Sequence, residues 1–189
     1  MDIVGLFEGI LNIKAETVTA AAAVVGLVGV TVEYLRQKRQ SRIELAQQLI
    51  ERLDTDEMIA FAVKCIDWGT GIIPVPTIWR EIVGNPSIVP NPDELAQSVE
   101  TNISPKTATD PVRLLYRHSF VSLFNHLERI EDLRSIGAVT VADLKPIVWL
   151  AKQLNDWEYH SGSISPFRGA LEEWYERGKL IKLIDALRQ

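Results

Sequence analysis

The chain has 189 residues, of which 47% are hydrophobic and 24% charged, so its composition is that of a folded domain and not of a disordered segment. A net charge of −5 leaves no basic excess to neutralise phosphates, which argues against a dedicated nucleic-acid-binding protein. Cys65 is the only cysteine, which excludes an intramolecular disulfide and a cysteine-based metal cage and fits a reducing compartment.

The first element in chain order is an uncharged apolar run from Thr17 to Val32. A basic cluster follows it, defined here as Arg36, Lys38, Arg39 and Arg42. An apolar run bounded on one side by basic residues is typical of a membrane anchor whose basic end lies in the cytoplasm. We therefore predict a short amphipathic N-terminal segment over 1–14, a transmembrane helix over 15–35 and a cytoplasmic domain over 36–189.

This anchor would lie in a bacterial cytoplasmic (inner) membrane or an equivalent one, with the N-terminus outside and the basic cluster against anionic lipid headgroups. A secretory signal peptide is disfavoured because the positive charge follows the apolar run instead of preceding it. Two alternatives remain open for residues 15–35. They could form a buried helix of a soluble oligomer, or a helix that lies along the membrane surface.

Small residues recur inside the predicted span. Ala22 and Gly26 are four positions apart, and Gly29 lies on a neighbouring line of the helix. Small residues at this spacing let two helices approach closely in lipid, which would favour self-association. The same residues also fit the ordinary composition of a weakly hydrophobic span, and this second interpretation is the favoured one.

Beyond the basic cluster the sequence predicts helices. Apolar residues three and four apart continue the first helix to about Leu53, and Thr55 is the predicted N-cap of a second helix that ends near Gly69. Residues 69–111 hold seven of the nine prolines and are predicted to be an irregular excursion packed on the helices, with short helices near 77–83 and 92–99.

Regular structure resumes at Asp110 and Pro111, an N-cap followed by proline at the first helical position. An apolar face predicts a central helix ending at Gly137; it consists of Tyr116, Phe120, Leu123, Leu127 and Ile130. Further helices are expected from Thr140, from Ser165 and around Leu180–Leu187, with essentially no sheet. The predicted fold class is all-α, an N-terminal transmembrane helix followed by a small cytoplasmic helical bundle with a long proline-rich excursion.

The chain resembles a family of bacterial single-pass membrane proteins in four places: the segment 124–137, Trp149, Trp157 and the segment 166–174. Members of that family have one N-terminal anchor and a helical cytoplasmic domain of unknown function. The apolar run with its trailing arginines is similar too, so the resemblance covers about two-thirds of the chain and is weakest in the proline-rich stretch. It implies architecture and location, and no activity.

No phosphate-binding loop, dinucleotide fingerprint, zinc motif or nucleophile elbow is present. His118 and His126 are eight residues apart on one helix, turned about 80° from each other, which is poor geometry for sharing a metal ion. The sequence therefore predicts no catalytic residue, no cofactor and no metal ligand. A charged face of the central helix and one tryptophan are the candidate interaction surface: Trp79, Glu128, Glu131 and Arg134.

These features predict a membrane-tethered helical interaction or scaffold protein without catalysis, acting at the cytoplasmic membrane surface. Its partners would be membrane lipid and either a membrane protein complex or further copies of itself, with no nucleic acid and no identified small-molecule substrate. The alternative is an enzyme or ligand-binding module whose pocket lies between the helical bundle and the 69–111 excursion, with Arg80, Glu81, His118 or His126 as its polar groups.

Overall fold

A computed structural model describes residues 3–68, 71–100, 105–156 and 178–188, with side chains from Gly26 onward except those of Trp68, Lys106 and Thr107. The described residues are mostly helical, as an all-α fold requires. The chain divides into two compact units, Met1–Arg42 and Ile43–Gln189. The helix predicted from Ser165 lies outside the described residues.

Helix α1 spans Ile3–Thr55 without interruption, so the predicted anchor and the predicted first cytoplasmic helix are one continuous helix. Within the second unit, the last turns of α1 contribute Ala46, Leu49 and Leu53 to the core. These three residues step by three and four, as an amphipathic helix requires. Ile43, one turn before Ala46, is 38% exposed, so the buried face begins at Ala46.

Helix α2, Glu57–Trp68, begins almost directly after α1. Its N-cap is Asp56 and not Thr55, because one Asp56 carboxylate oxygen accepts hydrogen bonds from the backbone N–H groups of Met58 and Ile59. The Thr55 hydroxyl instead donates to the Glu51 carbonyl oxygen, one turn back in α1. The prediction of Thr55 as the cap was therefore wrong by one residue, and the chain between the two helices is a single residue.

The 69–111 excursion has more regular structure than expected. Two short strands, β1 (Ile73–Pro74) and β2 (Ser87–Ile88), pair antiparallel with Ile73 opposite Ile88 and Pro74 opposite Ser87. Between and after them lie a 3₁₀ turn over Thr77–Trp79 and three helices: α3 (Arg80–Val83), α4 (Pro92–Val99) and α5 (Pro105–Thr109). Both short helices predicted from the sequence are present, whereas the strand pair was not predicted.

Helix α6, Pro111–Ser135, is central in the second unit and contacts α2, α3, α4 and α5. Its start was predicted correctly, since the Asp110 carboxylate accepts from the N–H groups of Val112 and Arg113 and Pro111 occupies the first turn. Its end is also as predicted, because Gly137 has a φ of 73°, a left-handed conformation that favours glycine. Its predicted apolar face is buried along its whole length.

The remaining elements complete this core. Residues 140–144 form a hydrogen-bonded turn in place of the first part of the helix predicted from Thr140. A 3₁₀ turn over Lys145–Ile147 follows, with Pro146 in its first positions, and leads into α7 (Val148–Asp156). Helix α8, Lys179–Arg188, contacts both α6 and α7 through Leu180, Leu183, Ile184 and Leu187.

Excursion residues are part of this core, since Ile73, Val75, Leu95 and Val99 are buried in the same apolar cluster as the helices. Tyr116 is fully buried and its hydroxyl accepts a hydrogen bond from the backbone N–H of Asn91, which ties α6 to the start of α4. Burying apolar side chains contributes about 1.5–3 kcal/mol for each large residue. The excursion is therefore an integral part of the second unit.

Candidate functional site

The exposed surface of α1 carries the strongest functional signal. Its residues from Leu27 to Leu35 include six large hydrophobic side chains that are between 55% and 70% exposed: Leu27, Val28, Val30, Val32, Tyr34 and Leu35. These residues are not confined to one stripe, so the helix is apolar on several sides. Apolar surface of this kind on a helix indicates contact with lipid or with another protein.

The basic cluster follows this surface directly. Arg36, Lys38 and Arg39 are exposed, and Arg42 is half-buried. Arg36, Arg39 and Arg42 are three residues apart, so they line one side of the helix. The apolar surface and the basic cluster are adjacent in sequence, and the side chains of Arg36, Lys38 and Arg39 are exposed like those of the apolar surface.

The small residues of the predicted span are only partly described. Apart from the backbone of their own helix, Gly26 and Gly29 have no heavy atom within 4 Å of the position that a Cβ would occupy, so neither has a packing partner among the described residues. Ala22 lies outside the residues whose side chains are described. In the part of the chain described to side-chain level, no helix is both long enough and apolar enough to cross a membrane.

Trp79, a candidate interaction residue, is half-buried against the core, and its ring centroid lies 5.4 Å from that of His118. Its neighbours Ile78 and Ile82 are 71% and 58% exposed, and a spacing of four residues places them on the same side of the short helical stretch. The exposed apolar surface here is therefore formed by Ile78 and Ile82, next to the tryptophan.

The charged face of α6 has two parts. Glu131 is buried and accepts two hydrogen bonds from Arg134, at 2.6 Å from Nε and 2.7 Å from Nη2. This pairing raises the pKa of Arg134 and makes Glu131 a structural residue, so the pair is poorly placed for docking. Glu128 and Asp132 are accessible and lie 3.9 Å and 2.9 Å from the Lys179 ammonium group, which joins α6 to α8.

His126 lies in a cleft that the sequence did not reveal. The cleft has a volume of about 310 Å³ and is lined by residues from α1, α2 and α6 and by the residue between α1 and α2. These lining residues are Arg52, Asp56, Ile59, Ser122, Asn125, His126 and Arg129. His126 is buried and donates through Nε2 to the Leu49 carbonyl oxygen at 2.8 Å. Burial, more than any charge, holds the pKa of His126 below its usual range, so its imidazole is neutral near pH 7.

A second cleft, of about 150 Å³, lies between α2 and the excursion. Its charged lining consists of Asp54, Glu57, Lys64 and Arg80. Glu57 accepts hydrogen bonds from the backbone and the hydroxyl of Thr77, and these hold its pKa below the usual range. Of the four polar residues suggested for a pocket at this place, Arg80 lines the cleft, whereas Glu81, His118 and His126 do not.

Among the described residues, no group of three or more His, Cys, Asp or Glu side chains is arranged to hold a metal ion. Cys65 is fully buried in the core, and burial raises the pKa of its thiol far above neutrality, so it is an inert core residue. Of the five tryptophans, the side chains of Trp79 and Trp149 are described, and Trp149 is 40% exposed. Comparison with known proteins finds no matching family model, no matching curated protein and no matching solved structure.

Proposed function

We propose that this protein is a membrane-tethered helical interaction module that acts at the cytoplasmic surface of a bacterial inner membrane or an equivalent membrane. The observation that carries the proposal is the exposed apolar surface from Leu27 to Leu35, followed directly by the exposed residues of the basic cluster. In water, each large apolar side chain left exposed forgoes about 1.5–3 kcal/mol of burial energy. Lipid or a partner helix would supply that burial.

The uncharged run continues upstream to Thr17, so its total apolar length approaches that of a spanning helix. Basic residues on its C-terminal side favour an orientation with the second unit in the cytoplasm. Each basic side chain near an anionic leaflet adds about 1 kcal/mol of attraction. Tethering would raise the effective concentration of the second unit for partners in the same membrane.

The interaction part of the proposal is supported by Ile78 and Ile82. These side chains form an exposed apolar pair on the second unit beside Trp79. Exposed apolar patches mark interaction sites, and tryptophan is among the residues enriched in the hot spots of protein interfaces. The expected occupant is another protein of the same membrane. Replacing both isoleucines by aspartate would abolish co-purification of that protein and leave the helical fold intact.

The test is membrane fractionation of the tagged full-length protein, with a carbonate wash and protease protection from each side. We expect the wild-type protein to remain with the bilayer and the C-terminal tag to be cleaved only from the cytoplasmic side. Val28→Arg places a charge in the apolar run, at an insertion cost of about 2.5–3.5 kcal/mol, and should release part of the protein. Gln47→Arg, on an exposed position of the same helix, is the matched control.

A wild-type protein that washes off with carbonate would contradict the anchor, and residues 15–35 would then have to be covered by protein. A bilayer-bound protein whose C-terminal tag is cleaved only from outside would contradict the orientation. Release by Gln47→Arg as well as by Val28→Arg would show that added charge acts through general destabilisation of the helix.

A second candidate function is small-molecule binding in the cleft between α2 and the excursion. The observation that favours it is that two carboxylates and two cationic side chains line this cleft: Asp54, Glu57, Lys64 and Arg80. It ranks second because the Glu57 carboxylate and the Arg80 Nε already have protein partners, Thr77 and the Val75 carbonyl oxygen. Zwitterionic free amino acids are the first compounds to test by thermal shift, and stabilisation that Lys64→Gln abolishes would support this function.

A further inference from the structure

The cleft beside His126 has a polar lining and a positive charge balance. Arg52 extends from the last turns of α1, and Asn125 and Arg129 extend from α6. Ser122, Asn125, His126 and Arg129 recur at intervals of three, one and three residues, so α6 presents them on one side. The cleft lies entirely within the second unit, and its volume of about 310 Å³ leaves room for a small polar ligand.

Two arginines, Arg52 and Arg129, and one carboxylate, that of Asp56, line this cleft. The Asp56 carboxylate is already engaged, since one oxygen caps α2 and the other lies 3.7 Å from Arg52. In the described part of the chain, no carboxylate forms an ion pair with Arg129, which is exposed. The cleft therefore has two cationic side chains and one carboxylate, which leaves one positive charge unbalanced.

The pKa of His126 is sensitive to this excess of positive charge. Its Nε2 carries the proton that is donated to the Leu49 carbonyl oxygen, and its Nδ1 is buried without a hydrogen-bond partner. Burial is the main cause of its lowered pKa, and the positive charges of Arg52 and Arg129 lower that pKa further, whereas the hydrogen bond to Leu49 and the charge of Asp56 act in the opposite direction. An anion bound between the two arginines would offset their field and would make protonation of His126 easier.

We propose that this cleft binds a phosphate group, held by the guanidinium groups of Arg52 and Arg129 with the side-chain amide of Asn125 as a further donor. Guanidinium groups match the oxygen geometry of phosphate and form charge-assisted, frequently bidentate hydrogen bonds to it. The Ser122 hydroxyl already donates to the His118 carbonyl oxygen and supplies no donor to the ligand. The phosphate comes either from a lipid headgroup or from a soluble phosphate compound, and the inference stands independently of the membrane anchor.

The test is calorimetric titration of the full-length protein with inorganic phosphate, in a neutral detergent and a phosphate-free buffer. We expect saturable binding that Arg129→Gln weakens at least about tenfold, which is the effect of losing a charge-assisted contact. Arg52→Gln should act in the same direction. Lys152→Gln removes one exposed positive charge from α7 and should bind as the wild type does.

A second readout separates binding in the cleft from a general effect of charge. The NMR pH titration of the His126 ring should shift to a higher midpoint at saturating phosphate in the wild type and should not shift in Arg129→Gln. Any one of three results would overturn the proposal: no saturable binding of phosphate to the wild type, the same phosphate affinity in Arg129→Gln as in the wild type, or no change in the His126 midpoint when phosphate binds to the wild type. Circular dichroism of each variant checks that the helices are intact.

Two further titrations distinguish the sources of the phosphate. Dihexanoyl phosphatidic acid, used below its micelle concentration, presents a lipid headgroup phosphate, and dihexanoyl phosphatidylcholine is its control. Tighter binding of the phosphatidic acid than of inorganic phosphate, with the same dependence on Arg129, would identify a lipid headgroup as the ligand. Competition by inorganic phosphate with no gain from the acyl chains would identify a soluble phosphate compound.

Discussion

At the scale of single residues, the buried polar side chains of α6 are the most informative positions. His126 and Glu131 are both 4% exposed, although the other buried side chains of α6 are apolar apart from Arg113 and Ser119. Each has one protein partner, the Leu49 carbonyl oxygen for His126 and Arg134 for Glu131. Removing the partner of a buried polar group costs more than the bond itself contributes, so these positions should respond strongly to substitution.

His126 should make the stability of the protein depend on pH. Because its pKa is lower in the folded state than in the unfolded state, the unfolded state takes up a proton first as the pH falls below about 6.5. The stabilising contribution is therefore complete above that pH and is lost as the pH falls toward the folded-state pKa. His126→Gln keeps an amide donor for Leu49 but cannot titrate, so its Tm should fall less between pH 7 and pH 5.

Thermal unfolding of both proteins across that pH range is the measurement. Lys152→Gln should retain the wild-type dependence on pH. A His126→Gln variant with the full wild-type loss of Tm on acidification would mean that His126 is not the group that couples folding to protons.

Arg134→Ala should destabilise the protein by about 2 kcal/mol, because it leaves the buried Glu131 carboxylate without its partner. Asp132→Asn is the control, since it weakens an ion pair with Lys179 in which both side chains are more than half exposed. Such exposed pairs contribute at most about 1 kcal/mol. Urea denaturation of both variants measures the difference, and equal losses would contradict the structural role of the Glu131–Arg134 pair.

At the scale of elements, the helix caps decide where each helix begins. Asp110 accepts two backbone hydrogen bonds at the start of α6 and also lies 3.8 Å from the Arg113 guanidinium group. Asp56 has the same capping role at α2. Since α6 contacts most of the other elements of the second unit, its first turn should influence the stability of the whole unit.

Asp110→Ala should lower the free energy of unfolding by about 1 kcal/mol, because the N–H groups of Val112 and Arg113 lose their acceptor. Asp110→Asn keeps an oxygen in the same place and should lose much less, since asparagine caps about as well as aspartate. Chemical denaturation measures both. Equal destabilisation by the two substitutions would show that the ion pair with Arg113, and not the cap, carries the effect.

The sequence predicted α6 almost completely, because its start, its end and its buried face are each marked by nearby residues. Pro111 marks the start, Gly137 marks the end, and apolar residues three and four apart mark the buried face. The sequence did not predict the β1–β2 pair, since the pairing of Ile73 with Ile88 depends on contacts across fourteen residues and on strands too short to show alternation. It also missed the cleft beside His126. Arg52 and Arg129 are 77 positions apart, and they reach one cleft because the last turns of α1 lie against α6, where His126 bonds to Leu49.

Burial of the charged residues was equally inaccessible from sequence. Glu131 and Asp132 are adjacent acidic residues, yet the first is buried and the second exposed. A helix turns by about 100° per residue, so neighbouring residues differ in environment whenever the edge of the core runs between them. The position of that edge is a matter of tertiary packing, since α6 contacts α2 and also α8, which begins more than forty residues later.

At the scale of the whole molecule, the division at Arg42 and Ile43 is the main organisational feature. The second unit contains all of the described core, including the last turns of α1. A chain that starts at Ile43 should therefore unfold cooperatively, with a Tm within a few degrees of the full-length value, apart from fraying of its first turn. Loss of cooperative unfolding in this truncated chain would show that residues 1–42 are required for the core.

The reaction rate of the Cys65 thiol measures how often the core of the protein opens. It is the only thiol in the chain and it is inaccessible in the native fold, so a thiol reagent can react only when the core between α2 and α6 opens. The decay of free thiol should follow a single exponential whose rate, at low reagent concentration, gives the equilibrium between closed and open forms. Destabilising α6 by Arg134→Ala should accelerate that reaction by about thirtyfold if opening is global, since 2 kcal/mol corresponds to that ratio.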